Sequence, residues 1–365
     1  MTRTINYGLI GCGMMGQEHL HNIALLDNTQ VLAIFEPDVQ MAHASQRIAP
    51  GARMVGSIQD LLALAELDCI VIASPNHLHV DQLCEIAETR PLPLLVEKPL
   101  FTNPQDVARL ARLQRSYPCP IWVAMEYRYM PPIAALIDQV GQTGGVKMLT
   151  IREHRFPFLA KVGDWNRFNC NTGGTFVEKC CHFFDLMRLI LQSDPVRVTA
   201  SGGQAVNHLD ESYEGKTPDI LDHGYVLVDF ANGTRAMLEL CMFAEGARYQ
   251  EEISAMGPKA RIEARVPGPG RFWPDHLGEP PVPQLILSPR DPKGPVSKDI
   301  PVDPRLLAAG DHNGSTFYQH QGFLDLVRGT RSTPAVTLQD GLWAVRMGLA
   351  AQEAILSGDT VRFDP

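Results

Sequence analysis

Two stretches of the chain carry residue types that could do acid–base chemistry. The first is Glu97-Lys98-Pro99, which closes a short apolar run, Leu94-Leu95-Val96. A lysine held against a carboxylate and shielded from water could polarise a hydroxyl or relay its proton. The second is Gly173 to Asp185, GGTFVEKCCHFFD. Read as the start of a helix, it sets Glu178, His182 and Asp185 at i, i+4 and i+7, on one face. Phe183, Met187 and Ile190 fall elsewhere and can pack. A buried stripe of acid, imidazole and acid costs free energy unless its groups are satisfied, so the spacing suggests a site. An imidazole accepts a proton near neutrality, and an ammonium steadies a growing carbonyl oxygen. Together such groups could oxidise a secondary alcohol if something else takes the hydride. Glu178 and His182 also have the spacing of a helix-borne metal pair, but no third ligand is evident and no metal is expected.

A hydride acceptor is indicated at the start of the chain. Tyr7-Gly8-Leu9-Ile10 reads as a buried strand, and Gly11-Cys12-Gly13-Met14-Met15-Gly16 follows it as G-x-G-x-x-G. Gln17 to Leu26 then has helical spacing. Gly11 suits a tight turn, Gly13 lets a pyrophosphate approach the backbone, and Gly16 lets the helix pack on the sheet. The free N–H groups and dipole of the helix end would hold the phosphates. A second strand, Val31 to Phe35, ends at Glu36 and Pro37. Its carboxylate suits the two ribose hydroxyls of NAD and would repel the 2′-phosphate of NADP. NAD is the expected cofactor, ahead of NADP.

The first 120 residues or so alternate strand and helix signals, as a doubly wound parallel sheet requires. Ligands bind such sheets outside the carboxyl ends of the strands. Glu36, the loop Ser74-Pro75-Asn76 with His79 after it, Glu97-Lys98, and Glu126 to Arg128 therefore all face one crevice. From about Lys147 the pattern changes. Met148–Glu153, Val196–Ser201, Tyr225–Phe230, Arg235–Phe243 and Glu251–Met256 are strand-like with few long helices between them, which describes an α+β domain on a largely antiparallel sheet. Residues 1–125 are thus expected to form the cofactor domain and 126–365 the substrate domain. Pro267 to Pro304 holds 11 of the 28 prolines and reads as a long surface excursion. Ser315–Arg328 and Thr337–Ser357 read as helices that return toward the first domain, the latter opened by Thr337-x-x-Asp340 and closed by Gly358.

Composition sets bounds. The 45% hydrophobic and 20% charged content is that of an ordinary globular protein, and the formal net charge is −9. That balance argues against nucleic-acid or anionic-membrane partners, and no leader or 18-residue apolar span is seen. The eight cysteines include no C-x-x-C and read as thiols in a reducing compartment, with the cytoplasm as the default location. Around the presumed site, Arg128, His154, Trp165 and Arg167 are candidates for a polar rim with one flat apolar face.

The combination of Gly11-x-Gly13-x-x-Gly16, Ser74-Pro75-Asn76-His77-Leu78-His79, Glu97-Lys98-Pro99 and Gly173-Gly174 to His182-x-x-Asp185 resembles the glucose-fructose oxidoreductase / inositol dehydrogenase / rhizopine-catabolism (Gfo/Idh/MocA) family. The resemblance covers nearly the whole chain. It implies a Rossmann domain followed by an α/β domain whose large open sheet often carries a homodimer or homotetramer interface. It also implies a metal-free Lys–Asp–His site that oxidises sugars or cyclic polyols such as inositols. Lys98 and His182 match that pattern; Glu178 stands where the family usually has Asp, and Cys180 where it often has Gly. The expectation is NAD-dependent oxidation of a ring hydroxyl on a sugar, sugar acid or polyol. Two alternatives on the same fold are glycoside hydrolysis or epimerisation by transient oxidation, and a non-catalytic NAD-binding regulator, which the intact Lys98–His182 pair disfavours.

Overall fold

A computed structural model describes residues 3–363. The first sheet contains β1 (Ile5–Ile10), β2 (Thr29–Phe35), β3 (Arg53–Val55), β4 (Cys69–Ile72), β5 (Leu94–Val96) and β6 (Ile121–Val123). All neighbours are parallel and the order is β3-β2-β1-β4-β5-β6, the doubly wound arrangement of a Rossmann domain. The apolar runs that lack alternation are the strands buried on both faces: Leu9, Ile10, Ile70, Val71, Leu95 and Val96 are all inaccessible. β1 sits at the centre, so the turn after it opens at the point where strand order reverses. β3 had no clear signal in the sequence, because Arg53-Met54-Val55, unlike β5 and β6, is not a wholly apolar run.

The second sheet holds β7 (Met148–His154), β8 (Pro195–Gly203), β9 (His223–Phe230), β10 (Arg235–Cys241), β11 (Glu251–Met256), β12 (Ala260–Val266), β13 (Gln284–Pro289), β14 (Val296–Asp299) and β15 (Val361–Arg362). Its order is β14-β13-β12-β11-β7-β10-β9-β8-β15. Every pairing is antiparallel except β7 with β10. One face is covered, with Leu149, Ile151, Val226, Val228, Leu238 and Ile253 buried, whereas Met148, Tyr225 and Leu227 stand more than half exposed on the other. The alternation in these strands is that of a sheet packed on one side only.

The proline-rich segment departs from expectation. Only its first part is irregular; residues 284–299 pair as the β13–β14 hairpin on the edge of the sheet, against β12. The run Gln284-Leu285-Ile286-Leu287 is strand-forming, and its prolines stand at its ends, where a missing N–H costs no ladder bond. β12, which precedes that segment, is a further strand the sequence signals had not marked.

Two helices bring the end of the chain back to the first sheet. Ser315–Val327 packs on the helix Met14–Ile23 that follows the glycine turn. Leu338–Ser357 packs on the helix Cys181–Leu191 and on β8. The latter opens with a reciprocal capping box between Thr337 and Asp340 and ends on Gly358 in the left-handed region, as the sequence indicated. Among the described residues no helix is long and apolar enough to cross a membrane, and no cysteine is paired.

Candidate active site

The glycine turn is shaped by what a side chain would strike. Gly11 has φ +85°, and a Cβ on it would lie 2.6 Å from the Ser74 backbone. A Cβ on Gly16 would lie 2.4 Å from the Gly11 carbonyl oxygen, so only glycine lets the helix approach this closely. Gly13 differs: a Cβ there would meet nothing within 4 Å. The helix starting at Met14 has no side-chain cap from Gly13 and no acidic residue in its first turn. Free helical N–H groups facing open space beside a residue without a side chain fit a pyrophosphate. Glu36, at the end of β2, accepts hydrogen bonds from the Cys12 N–H and, at 2.8 Å, from the Asp38 N–H. Its carboxylate is therefore held beside the turn. Pro37 is exposed next to it, and Met14 is 47% exposed at the helix start. The buried Cys12 thiol is pushed up to about 12, first by burial, and is inert.

The loop after β4 contributes unevenly. The Ser74 hydroxyl donates to Gln82 at 2.6 Å. Asn76 is buried and its Nδ2 has no hydrogen-bond partner among the described residues, which suits a group waiting for a ligand. His79, by contrast, lies behind the loop rather than facing the crevice. Its ring nitrogens are 2.9 Å from the Pro99 carbonyl oxygen and 3.0 Å from that of Ser74. It ties the Ser74 loop to the Lys98-Pro99 turn.

Glu97 leaves β5 with its carboxylate fully engaged. Its Oε2 accepts from the Lys98 N–H at 3.1 Å and its Oε1 lies 3.0 Å from His19 Nε2. Burial alone would raise its pKa, but His19 and then Lys98 outweigh this and hold it below the usual carboxylate range. Lys98 is half-buried and its Nζ donates to the main-chain oxygen of Glu178 at 3.3 Å. Burial would lower its pKa, yet Cys181, Glu97, Glu178 and Glu126 raise it above the ordinary lysine value. Lys98 is an ammonium, suited to stabilising negative charge rather than to accepting a proton.

The stretch from Gly173 is not one continuous helix. Thr175–Glu178 forms a single turn, and a second helix begins at Cys181. The break leaves the Glu178 carbonyl free to receive Lys98. Glu178 is 3% exposed; its Oε1 accepts from Lys161 Nζ at 3.2 Å, and its Oε2 is buried without a hydrogen-bond partner among the described residues. His182 is 1% exposed and its ring stacks on Tyr127, with centroids 4.0 Å apart and planes 5° from parallel. Burial first, then Lys98 and Lys179, push its pKa well below the usual value. The imidazole is neutral at pH 7 and able to accept a proton. Asp185 does not join them. Arg128 Nε and Nη2 both donate to its carboxylate, and Arg128 Nη1 donates to the Ala335 carbonyl at 2.8 Å. This buried fork clamps the helix to the chain near residue 335 and leaves neither partner free.

Of the remaining rim candidates, only Trp165 stands by Glu178. Lys161 Nζ lies 4.5 Å from the centre of its ring, and His77 meets the ring edge-on at 6.2 Å. Arg167 is 3% exposed and its Nε donates to Glu211 at 2.8 Å, which ties down a loop of the second domain. His154 points to the open side of the sheet, where its Nε2 lies 2.8 Å from Glu239 across the β7–β10 pair. Its neighbour Glu153 takes the buried face, and strand alternation sends the next side chain the other way. Lys161 was missed because it sits in an irregular segment with no periodicity to mark it.

Glu126 lies behind the crevice in a cluster with Glu18 and His312. His312 Nδ1 is 2.8 Å from Glu18 Oε1 and its Nε2 is 3.7 Å from Glu126 Oε1. The Thr316 hydroxyl lies 2.8 Å from Glu18 and 2.7 Å from Glu126. The three groups have the separations of a metal-ligand set, yet each imidazole nitrogen faces a carboxylate, which is the arrangement of an imidazolium bridging two acids. Burial opposes the charge on His312, but Glu126 and Glu18 raise its pKa from 6.5 to about 9. A pKa raised on folding stabilises the fold fully below 6.5 and ceases to do so as pH rises through 9. The melting temperature is expected to fall across that window, and His312→Gln should remove this part of the fall. An unchanged pH dependence in the variant would refute the bridging role.

Residues 5–125 match the family described as "Oxidoreductase family, NAD-binding Rossmann fold", and residues 136–363 match "Oxidoreductase family, C-terminal alpha/beta domain". The chain belongs to this Gfo/Idh/MocA oxidoreductase family, and its first domain is an NAD-binding Rossmann domain. It is 31% identical over 278 residues to inositol 2-dehydrogenase of Corynebacterium glutamicum strain ATCC 13032, covering 75% of this chain and 78% of that protein. It is 25% identical over 284 residues to the rhizopine catabolism protein MocA of Rhizobium meliloti, covering 75% of this chain and 80% of that protein. Among solved structures, levoglucosan dehydrogenase in complex with NADH and levoglucosan superposes with a TM-score of 0.81 at 17% identity, covering 99% of both chains. That likeness is one of fold.

Proposed function

We propose that this protein is an NAD-dependent dehydrogenase that reversibly oxidises a secondary hydroxyl of a sugar, sugar acid or inositol-like polyol to a ketone. The observation that carries the reading is one meeting of groups. Lys98, a charged ammonium, meets the Glu178 carbonyl at the break before the helix that carries His182, a neutral imidazole, and Oε2 of Glu178 has no hydrogen-bond partner among the described residues. An acceptor for a hydroxyl proton, a cation for the growing carbonyl oxygen and a carboxylate for a neighbouring hydroxyl are what such an oxidation needs from a protein.

The nicotinamide, when bound, accepts the hydride. Gly11 to Gly16 and the start of the Met14–Ile23 helix would hold the pyrophosphate, Glu36 the ribose, and Ser74, Pro75 and Asn76 the far side of the crevice. In the oxidative direction His182 takes the hydroxyl proton as Lys98 lowers the energy of the oxygen it leaves. Glu178 orients the ring through a second hydroxyl, and Trp165 offers a flat apolar face. The relatives named inositol 2-dehydrogenase and levoglucosan dehydrogenase support the substrate class. The location proposed is the cytoplasm, and the open face of the nine-stranded sheet is the proposed homo-oligomer surface.

Absorbance of NADH across a panel of inositols, aldoses and uronic acids at mildly alkaline pH tests this. At least one member should give net NADH, with NAD bound at least tenfold more tightly than NADP, about 1.4 kcal/mol. Product formed without net NADH would transfer the assignment to hydrolysis or epimerisation by transient oxidation. Cofactor binding with no turnover of any compound would favour a regulator.

A further inference from the structure

Beyond the Tyr127 ring on which His182 stacks lies a buried group of charges that the proposed chemistry does not use. Lys179 is the residue after Glu178 and sits in the break between the two helical pieces. It is 5% exposed. Its Nζ donates to the Tyr127 hydroxyl and lies 2.8 Å from Glu153 Oε1 on β7. Tyr127, 1% exposed, is the ring on which His182 stacks. Arg155 Nη1 is 3.6 Å from the same Glu153 oxygen. Glu251, directly opposite Glu153 across the β7–β11 pair, accepts from Gln250 Nε2 at 2.6 Å.

We propose that Tyr127 and Lys179 are positioning residues for His182. The phenol ring fixes the plane of the imidazole, and the Lys179 ammonium, held on Glu153, fixes the phenol and keeps a positive charge behind the imidazole. The inference rests on His182 being the proton acceptor of the proposed oxidation.

Three observations support it. A buried lysine is costly unless paired, and Lys179, in the break between the two helical pieces, is paired on two sides. A parallel stack at 4.0 Å sets the plane of the imidazole, and His182 Nδ1, which is buried, has no hydrogen-bond partner among the described residues that would set that plane instead. The charge balance of the cluster is also positive. Arg155 and Lys179, the latter with its pKa lowered first by burial and then by Arg155, face Glu153 and a Glu251 carboxyl that burial and then Glu153 push up to about 7.

The groups around His182 are Lys98 from the end of β5, Glu126 and Tyr127 after β6, and Glu153 and Arg155 at the end of β7. Glu251 from β11 and His312 complete the outer ring, with Glu178, Lys179, Cys181 and Asp185 on its own segment. Among these, Lys98, Lys179, His312 and Arg155 oppose its protonation. An imidazole kept neutral over the whole neutral range can accept a proton without first losing one.

The test reads His182 directly, by nitrogen-15 titration of the histidine rings with His182→Gln for assignment, in the full chain. In the unmodified protein His182 should stay neutral well below pH 6.5. Lys179→Met should move its titration upward by about one pH unit. Lys179→Met/Glu153→Gln, which leaves no unpaired acid at 153, should move it in the same direction, so the inference stands if the single variant fails to fold. Lys179→Arg should restore the original titration. On any substrate found, Tyr127→Phe keeps the stack but loses the Lys179 contact and should lower turnover by less than Tyr127→Leu, which should lose at least tenfold in turnover with little change in the Michaelis constant. An unmoved His182 titration in the folded double variant would overturn the role of Lys179, and full turnover in Tyr127→Leu would overturn that of Tyr127. A moved titration with no substrate turned over would instead count against the dehydrogenase reading alone.

Discussion

Lys98→Met is expected to lower turnover by at least about a thousandfold while NAD affinity stays within about threefold. The asymmetry follows from position. The pyrophosphate is assigned to the glycine turn and the helix start, and Lys98 reaches instead to the Glu178 carbonyl. Its charge matters most as the substrate oxygen becomes carbonyl-like, so its removal raises the barrier more than it weakens binding. Methionine preserves the length and apolar body of the side chain. It leaves Glu97 with the His19 contact at 3.0 Å, so the turn after β5 should persist. NADH fluorescence titration and steady-state rates on one substrate separate the two effects. A variant with near-normal turnover would remove Lys98 from the chemistry, and with it the main support for an oxidative site.

The second large effect is a contrast inside the glycine turn. Gly13→Ala should weaken NAD binding at least thirtyfold, about 2 kcal/mol, and change the melting temperature by no more than about 1 °C. A Cβ at 13 meets no protein atom within 4 Å and intrudes only on the space assigned to the cofactor. Gly16→Ala should damage the fold itself. Its Cβ would lie 2.4 Å from the Gly11 oxygen, so helix and strand must separate; overpacking of this kind costs about 1–3 kcal/mol and lowers the melting temperature by about 5 °C. Calorimetry without cofactor and binding titration with it distinguish the two. If Gly13→Ala bound NAD normally, the open space beside it would not be the pyrophosphate site.

The order of the first domain was legible because each of its signals is local. A strand buried on both faces has to be a run such as Tyr7 to Ile10, the turn after it has to be glycine where backbone approaches backbone, and the acid ending the next strand lies within the same βαβ unit. No distant residue has to be known for these readings, and the structure has the same strands in Rossmann order. The capping box at Thr337 and Asp340 was readable for the same reason. Lys98 and His182 could be singled out by spacing, and the fold brings both to the segment around Glu178.

What the sequence left open were choices between partners far apart in the chain. Arg128 and Asp185 were both candidates for substrate contacts; packing sets them face to face, and a bidentate pair leaves neither free. His154 alternates with Glu153, but which of the two is buried depends on the helices that cover one face of β7. The helical stripe of Glu178, His182 and Asp185 presumed a continuous helix. The break before Cys181 frees a carbonyl for Lys98 and opens room for Lys179, and no short-range pattern announces it. Glu18 and His312, 294 residues apart, meet only because the Ser315–Val327 helix returns to the cofactor helix. Local propensity and hydrophobic period therefore determined the elements and their order, since those energies are set by neighbours along the chain. The charge state of each site residue was decided by tertiary structure, because desolvation and the nearest opposite charge come from side chains that only packing brings together.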